Sequence, residues 1–466
     1  MAKLTRAAAL TALAVVSFTG CRNGNRSIAT AANPAIAAAI DAKTPPPFVP
    51  RDRRAHEIWE QERRFYRDRG LRLAWSDGEK PGSQAAGLSR AIDRAADEGL
   101  DPADYRMAGA IQSRFDPPHA ADNDLQLTWA YLSYASDLAV GVTRPEDLNP
   151  DWHGARRDVD IVAALERGID ENRVEGSLAE VAPRAPQYGG LKQQLRRYRE
   201  MADKGIADES GVPAAQRVHQ IAMNMDRWRW LPSDLGDRYL IVNIPAFRLD
   251  AIESGRSVLA MKVVVGKKDN PTPVLADEMT TVVFSPYWNI PPDIVQKETL
   301  PHVLKDAAYL DKNNIEIVRT TSDSTPVDPR SVDWNDEDAA AKLRFRQKPG
   351  AGNSLGLVKF IFPNHYNVYL HDTPAQSLFS RIERDFSHGC VRVERPMDLA
   401  KYVLRDQPSW TEDQIDAAMH AGTERSVALK QALAVYLVYF TAWEDNGSTR
   451  FADDVYGYDR RQAERN

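Results

Sequence analysis

The stretch DRYLIVNIPAFRLDAIESGRSVLAMKVVVGK, residues 237–267, decides the fold class. Its branched and aromatic residues fall in short runs, parted by turn formers around Pro245 and Gly255. That pattern predicts strand, turn, strand, turn, strand. Upstream the period is different. RRAHEIWEQERRFYRDRG (53–70) sets Ile58, Phe65 and Tyr66 on one helical stripe and closes on Gly70. Helical patterns continue through SQAAGLSRAIDRAADEGLDPADY (83–105), DLQLTWAYLSYASDLAVG (124–141) and LKQQLRRYREMADKG (191–205). RVHQIAMNMDRWRWLP (217–232) is a last helix stopped by Pro232.

Downstream, MTTVVFSPYWNIPP (279–292) reads as a strand running into a Pro-rich turn, and residues 294–314 read as helical. Residues 318–352 are polar with little periodicity; an insertion of that length is expected to be a lid or binding loop. LVKFIFPNHYNVYLHDTP (357–374) returns to strand, RPMDLAKYVLRD (395–406) is a helix with Pro in its first turn, and 431–454 is a hairpin across Asp-Asn-Gly-Ser. The expected architecture is α+β and multidomain: a mostly helical domain at 51–205, then a β-rich domain at 215–460. No internal repeat is present.

The chain has 466 residues, 43% of them hydrophobic, and a net charge of −6. That length exceeds one ordinary domain and allows a sizeable core. The mild charge and lack of a basic run give no reason to expect nucleic acid. MAKLTR, a short apolar run at 7–18 and Thr-Gly-Cys at 19–21 form a secretory signal, too short to span a bilayer. Cys21 resembles the lipidated cysteine of a lipobox, although Phe18 stands where Leu is usual; ordinary cleavage nearby is the alternative. Either way the mature chain is expected to be exported. Residues 22–50, ending in KTPPPFVP, read as a flexible tether.

The only other cysteine, Cys390, lies in SHGCVRV (387–393). It lacks a disulfide partner once Cys21 is lipidated or removed. A cysteine before a Val-rich run is ordinarily a core residue. A lone thiol in an oxidising compartment, with histidines nearby, points instead to chemistry. A cysteine nucleophile needs a base and donors for the oxyanion formed on attack. His388 is two residues before Cys390, and His371 is nineteen before it at a strand end; spacing leaves both open as the base. The backbone N–H groups of Gly389 and Cys390 are natural oxyanion donors, and Arg392, two residues on, could grip a carboxylate. Tyr369 alternates with His371 along the strand. A metal site would need three or four ligands at recognisable spacing. His365, His371, His388 and Cys390 do not show it, so no metal or other cofactor is expected. The RWRW cluster at 227–230 reads as an interface between helix and β domain.

HDTP…SHGCVRV resembles the signature of the L,D-transpeptidase family, the YkuD-type catalytic domain. MNMDRWRWLP, YLIVNIPAF, VVVGK, PYWNIPPDIVQKETLP, NSLGLVKFIFPNHYNVYLHDTP and VYFTAWEDNG resemble its large periplasmic branch in the same order, covering about 215–460. LAWSDG and ADEGLDPADY resemble, more weakly, that branch's helical scaffold domain. The small peptidoglycan-binding module common in the branch has no room here. The resemblance implies periplasmic location in a Gram-negative-type bacterium. Cys390 would attack a peptidoglycan stem tetrapeptide, release D-Ala, and pass the acyl group to a diaminopimelate amine as a 3→3 cross-link. Stem peptides would thus be donor and acceptor. It implies His371 as the base, oriented by a backbone carbonyl, with His388 supporting; Arg392, Tyr369, Ser387 and Trp288 contacting substrate; 318–352 capping it; and acylation of Cys390 by carbapenems. The motif does not choose among acceptors, since these enter after the thioester forms. Water (an L,D-carboxypeptidase) and a protein amine stay open, as does oligomeric state. The reading of a different class, a non-catalytic wall-binding scaffold, would need Cys390 or His371 to be missing.

Overall fold

The computed structural model describes residues 31–76, 80–106, 117–148, 157–306, 308–319, 325–334 and 343–465. The signal region, with Cys21, lies outside them. The chain is a helical N-terminal region followed by a β-rich domain, as its sequence periods require.

Among the described residues nine α-helices come first: α1 (Pro34–Asp41), α2 (Arg53–Asp68), α3 (Ser83–Asp93), α4 (Pro117–Val140), α5 (Pro145–Leu148), α6 (Ile161–Asp170), α7 (Val174–Val181), α8 (Pro186–Asp203) and α9 (Ala214–Trp228). Asp52 caps α2 by accepting from the Ala55 N–H, and its stripe of Ile58, Trp59, Phe65 and Tyr66 packs into the helical core. Buried Asp124 on α4 accepts from the N–H groups of Ala74 and Trp75 and from the Tyr66 hydroxyl at 2.8–2.9 Å, fixing the 71–76 loop against two helices. The tether expected over 22–50 is corrected here: 34–41 is a helix. Asn33 caps it, its alanines favour it, and Ile36 and Ile40, one turn apart, are fully buried in the helical core.

The second domain is built on β1 (Arg238–Asn243), β2 (Arg248–Glu253), β3 (Arg256–Gly266), β4 (Leu275–Phe284), β9 (Val358–Ile361), β10 (Leu370–His371), β11 (Asp385–Ser387), β12 (Val391–Val393) and β13 (Arg425–Val438). The strand order is β11-β3-β12-β10-β9-β4-β13-β1-β2, and β2 pairs back onto β3. That pairing closes eight strands into a barrel and leaves β11 beside β3, without an open edge in the ring. Alternation fills the interior with Leu240, Val242, Leu249, Val263, Leu370 and Val391, among others, all fully buried. The hairpin β14 (Ala442–Asp445) and β15 (Ser448–Phe451) turns through Asn446 and Gly447, both at positive φ.

Outside the barrel, α8 and α9 pack Tyr188, Leu191, Leu195, Ile221 and Met225 against Tyr239, Ile252 and Tyr436. RWRW sits at this junction. Trp228 stacks on Phe440 at 4.9 Å, Arg227 pairs with Asp459 at 2.7 Å, and buried Arg229 bonds the Tyr188 hydroxyl at 3.0 Å.

The expected loop over 318–352 is also corrected. A lobe runs from β5 (Trp288–Asn289) through a helical run at 292–303 to β6 (Ile315–Val318), β7 (Pro326–Val327) and β8 (Arg344–Gln347), with sheet order β5-β8-β6-β7. It has its own core, including Ile290, Ile294, Val303, Leu310, Ile317 and Phe345. Strands of two to four residues are too short to display alternation, and much of the core lies before residue 318.

Candidate active site

β10 and β12 are neighbours and parallel, with Leu370 opposite Val391 and His371 opposite Arg392. Leu370, Val391 and Val393 point into the barrel. Period two therefore puts Tyr369, His371, Cys390 and Arg392 together on the outer face. The pairing extends one residue back, where the Val391 N–H donates to the Tyr369 carbonyl at 3.1 Å. The Cys390 sulfur lies 3.9 Å from the Asn367 carbonyl oxygen, and Tyr369 beside it favours the thiolate. The Tyr369 ring meets the His371 ring edge to face, centroids 5.8 Å apart.

His371 Nδ1 is 2.5 Å from the Asp372 carbonyl oxygen. A carbonyl only accepts, so Nδ1 carries the hydrogen and Nε2 keeps its lone pair. The Asp372 carboxylate faces elsewhere: it accepts the N–H groups of Leu357 at 2.8 Å and Thr373 at 2.7 Å. At Gly356 (φ +61°) a Cβ would meet that carboxylate at 2.3 Å, so the turn tolerates only glycine.

Burial, helped by the positive Arg392, lowers the His371 pKa to about 3. Burial also pushes the Cys390 thiol up to about 11, although Tyr369 and Arg392 pull it the other way. At neutral pH both groups are therefore uncharged. The resting pair is thiol and imidazole, with no hydrogen bond joining them among the described residues. Lys359 on β9 is the register partner of His371 on its other side and salt-bridges Glu424 at 3.8 Å. Arg392, His371 and Lys359 thus form a row of nitrogen-bearing side chains across three strands.

The loop before β12 presents the thiol through internal bonds. Ser387 is buried; its Oγ accepts the Gly389 N–H at 3.1 Å and donates to the Cys390 carbonyl at 2.5 Å. Gly389 has φ +113°, and its carbonyl accepts from Thr272 Oγ1 at 2.8 Å. Two expectations are corrected by this. The Gly389 N–H is already bonded within the loop, so it is not the free oxyanion donor. Ser387 spends its hydroxyl on the loop, so it shapes the site and does not contact substrate. The Cys390 N–H has no acceptor among the described residues and keeps the donor role open.

Two further residues stand apart from the cluster. His388 turns outward, its Nε2 2.9 Å from Glu298 Oε1 in the helical part of the lobe. It ties the nucleophile loop to the lobe and cannot at once serve the sulfur. Trp288 pairs with Gln347 in β5–β8 and, half-buried, packs one side against the lobe's own core. Sequence reasoning did not select Lys359, Glu298 or Thr272. The single charged residue inside LVKFIF marks Lys359 as an outward strand position; the other two carry no local signal. Among the described residues no group of three or more His, Cys, Asp or Glu side chains could hold a metal.

The family model of a scaffold domain matches residues 60–195, and that of the L,D-transpeptidase catalytic domain, YkuD, matches 237–417. β13, which closes the barrel, lies beyond the second match. A Haemophilus influenzae protein described provisionally as an L,D-transpeptidase is 35% identical over 244 residues, 52% of this chain and 49% of the relative. The chain thus spans about half the length of the curated relative it matches. Among solved structures, an L,D-transpeptidase from Mycobacterium smegmatis is 12% identical, with TM-score 0.18, covering 43% of this chain and 58% of that one. Mycobacterium tuberculosis L,D-transpeptidase 1 is 11% identical, with TM-score 0.17, covering 43% and 61%.

Proposed function

We propose that this chain, whose residues 60–195 match a scaffold-domain model and 237–417 the L,D-transpeptidase catalytic-domain model, cross-links peptidoglycan stem peptides through a thioester on Cys390. The observation that carries this reading is the outward cluster on β10 and β12. A thiol and an imidazole share one face, and the Asp372 carbonyl leaves Nε2 as the imidazole's free base.

The thiol attacks the carbonyl carbon of the third residue of a stem tetrapeptide. As the C–S bond forms, the sulfur's proton passes to His371 Nε2, and the Cys390 N–H donates to the developing oxyanion. Collapse breaks the C–N bond, and His371 gives the proton to the leaving D-Ala amine. The amine of a diaminopimelate side chain then attacks the thioester. His371 takes its proton and returns it to the sulfur, leaving a 3→3 bond. The two uncharged groups separate charge only as attack proceeds. Arg392 supplies the positive charge that favours both thiolate and a bound carboxylate. No nucleotide is consumed, which suits an exported enzyme, since the thioester conserves the acyl energy of the bond it replaces.

The test is incubation of the chain, and of Cys390→Ala, with disaccharide-tetrapeptide, with products weighed by mass spectrometry. Dimers joined diaminopimelate to diaminopimelate in the wild type alone support the reading. Tripeptide alone assigns water as acceptor, and product that survives Cys390→Ala rejects the mechanism.

A further inference from the structure

A groove of about 620 Å³ lies between the helical region and the barrel. Its walls come from both. Gln187 on the first turn of α8 and Trp228 at the end of α9 face Asn243, Arg248 and Asp250 on β1 and β2, with Trp443 of the β14–β15 hairpin at the rim. β3 leads from Ala260 in this groove to Gly266 beside Ser387, six residues and so about 20 Å of strand. The groove is separate from the thiol, on the same outer wall of the barrel.

Two buried polar atoms lining it, the Trp228 indole N–H and Gln187 Oε1, have no partner among the described residues. Next to them Asn243 is 8% exposed; its Oδ1 accepts from the Phe440 N–H at 2.9 Å, and its solvent-accessible N–H₂ donates to no described residue, a second donor open to the groove. Buried polar groups are ordinarily satisfied, so two along one groove mark where a ligand's groups belong. Two donors and one acceptor are the complement of a secondary amide, whose carbonyl accepts and whose N–H donates. Beside them Arg248 holds Asp250 by two bonds of 2.7 and 2.8 Å, and Ser257 donates to the same carboxylate at 2.6 Å. That fixed set can meet adjacent hydroxyls. The half-buried Trp443 offers a flat apolar surface.

We propose that this groove binds an N-acetylated amino sugar of a glycan strand. A peptide would satisfy the amide-like set, but it has neither the vicinal hydroxyls nor the flat apolar ring face that the rest of the groove fits. The proposal rests on the acyl-transfer reading only in taking the wall glycan as the sugar's source. It gives the scaffold helices a part in holding the strand whose stem peptides reach Cys390.

The test titrates the full chain and Cys390→Ala with a tetramer of N-acetylglucosamine, followed by calorimetry. Saturable binding, equal in both, is expected. Asn243→Asp keeps the acceptor for Phe440 and loses the donor; Trp228→Phe keeps the stack on Phe440 and loses the N–H. Each is expected to weaken binding about fivefold, the effect of one hydrogen bond. The melting temperature and acyl transfer with a sugar-free stem peptide should stay unchanged. Trp443→Ala, at a half-exposed position, provides the same readout should a buried substitution unfold the chain. The proposal is overturned if the tetramer does not bind, if the variants bind it as well as the wild type, or if sugar-free stem peptide occupies the groove instead. Loss of Cys390-dependent product with sugar binding intact counts against the acyl-transfer reading alone.

Discussion

The imidazole Nδ1 of His371 and the backbone carbonyl of Asp372 are 2.5 Å apart, so the base is oriented by its neighbour's main chain and not by a carboxylate. Asp372→Asn keeps that carbonyl. The substitution should lower kcat less than tenfold, whereas replacing a triad aspartate costs about 10⁴. Steady-state kinetics on a stem tetrapeptide decide it, and a loss near 10⁴ would give the carboxylate a role the geometry denies it.

The Cys390 thiol, raised to about 11 by burial, is protonated at neutral pH. Its alkylation by iodoacetamide should therefore be slow at pH 7 and climb with pH toward 11, because only the thiolate reacts. Arg392→Met removes a positive neighbour and should move the curve to still higher pH. A rate already at plateau by pH 8 would contradict the account.

His388 and Glu298 join the nucleophile loop to the lobe at 2.9 Å. His388→Ala and Glu298→Ala should raise KM by similar factors, and the double variant should be no worse than either single one. Additive effects in the cycle would mean that the two act separately.

Glu62 on α2 is fully buried, and neither carboxylate oxygen has a partner among the described residues. Burial, with Asp124 nearby, raises its pKa well above 4.5. The folded state thus holds this proton more tightly than the unfolded chain does. Its contribution is complete below pH 4.5 and is lost progressively as pH rises toward the folded pKa. Glu62→Leu should raise the melting temperature at pH 8 and do so less at pH 4. Thermal melts at the two pH values check this, and equal gains would contradict it.

The change of period at residue 237 made the α+β division readable, because helices and strands repeat at different intervals along the chain. Cys390, His371 and Arg392 were readable for the same reason: period two puts them on one face. The fate of the Gly389 N–H was not. It depends on the Ser387 rotamer, which no periodicity records. The lobe is not legible in the sequence because much of its core comes from residues before 318, in segments that read as turn and helix. Ile36 and Ile40 lie in an Ala- and Pro-rich stretch, where two isoleucines one turn apart are a faint signal without the helices they pack on. Lys359 became part of the site only through strand order, which brings β9 beside β10.

Whether Cys390 carries the acyl group is decided by acid-quenched intact-protein mass spectrometry during turnover of a stem tetrapeptide. The account predicts a mass gain equal to the acyl tripeptide, mapped to the peptide bearing Cys390, labile to hydroxylamine and absent from Cys390→Ala. Turnover without such an adduct, or an adduct on any other residue, would contradict it.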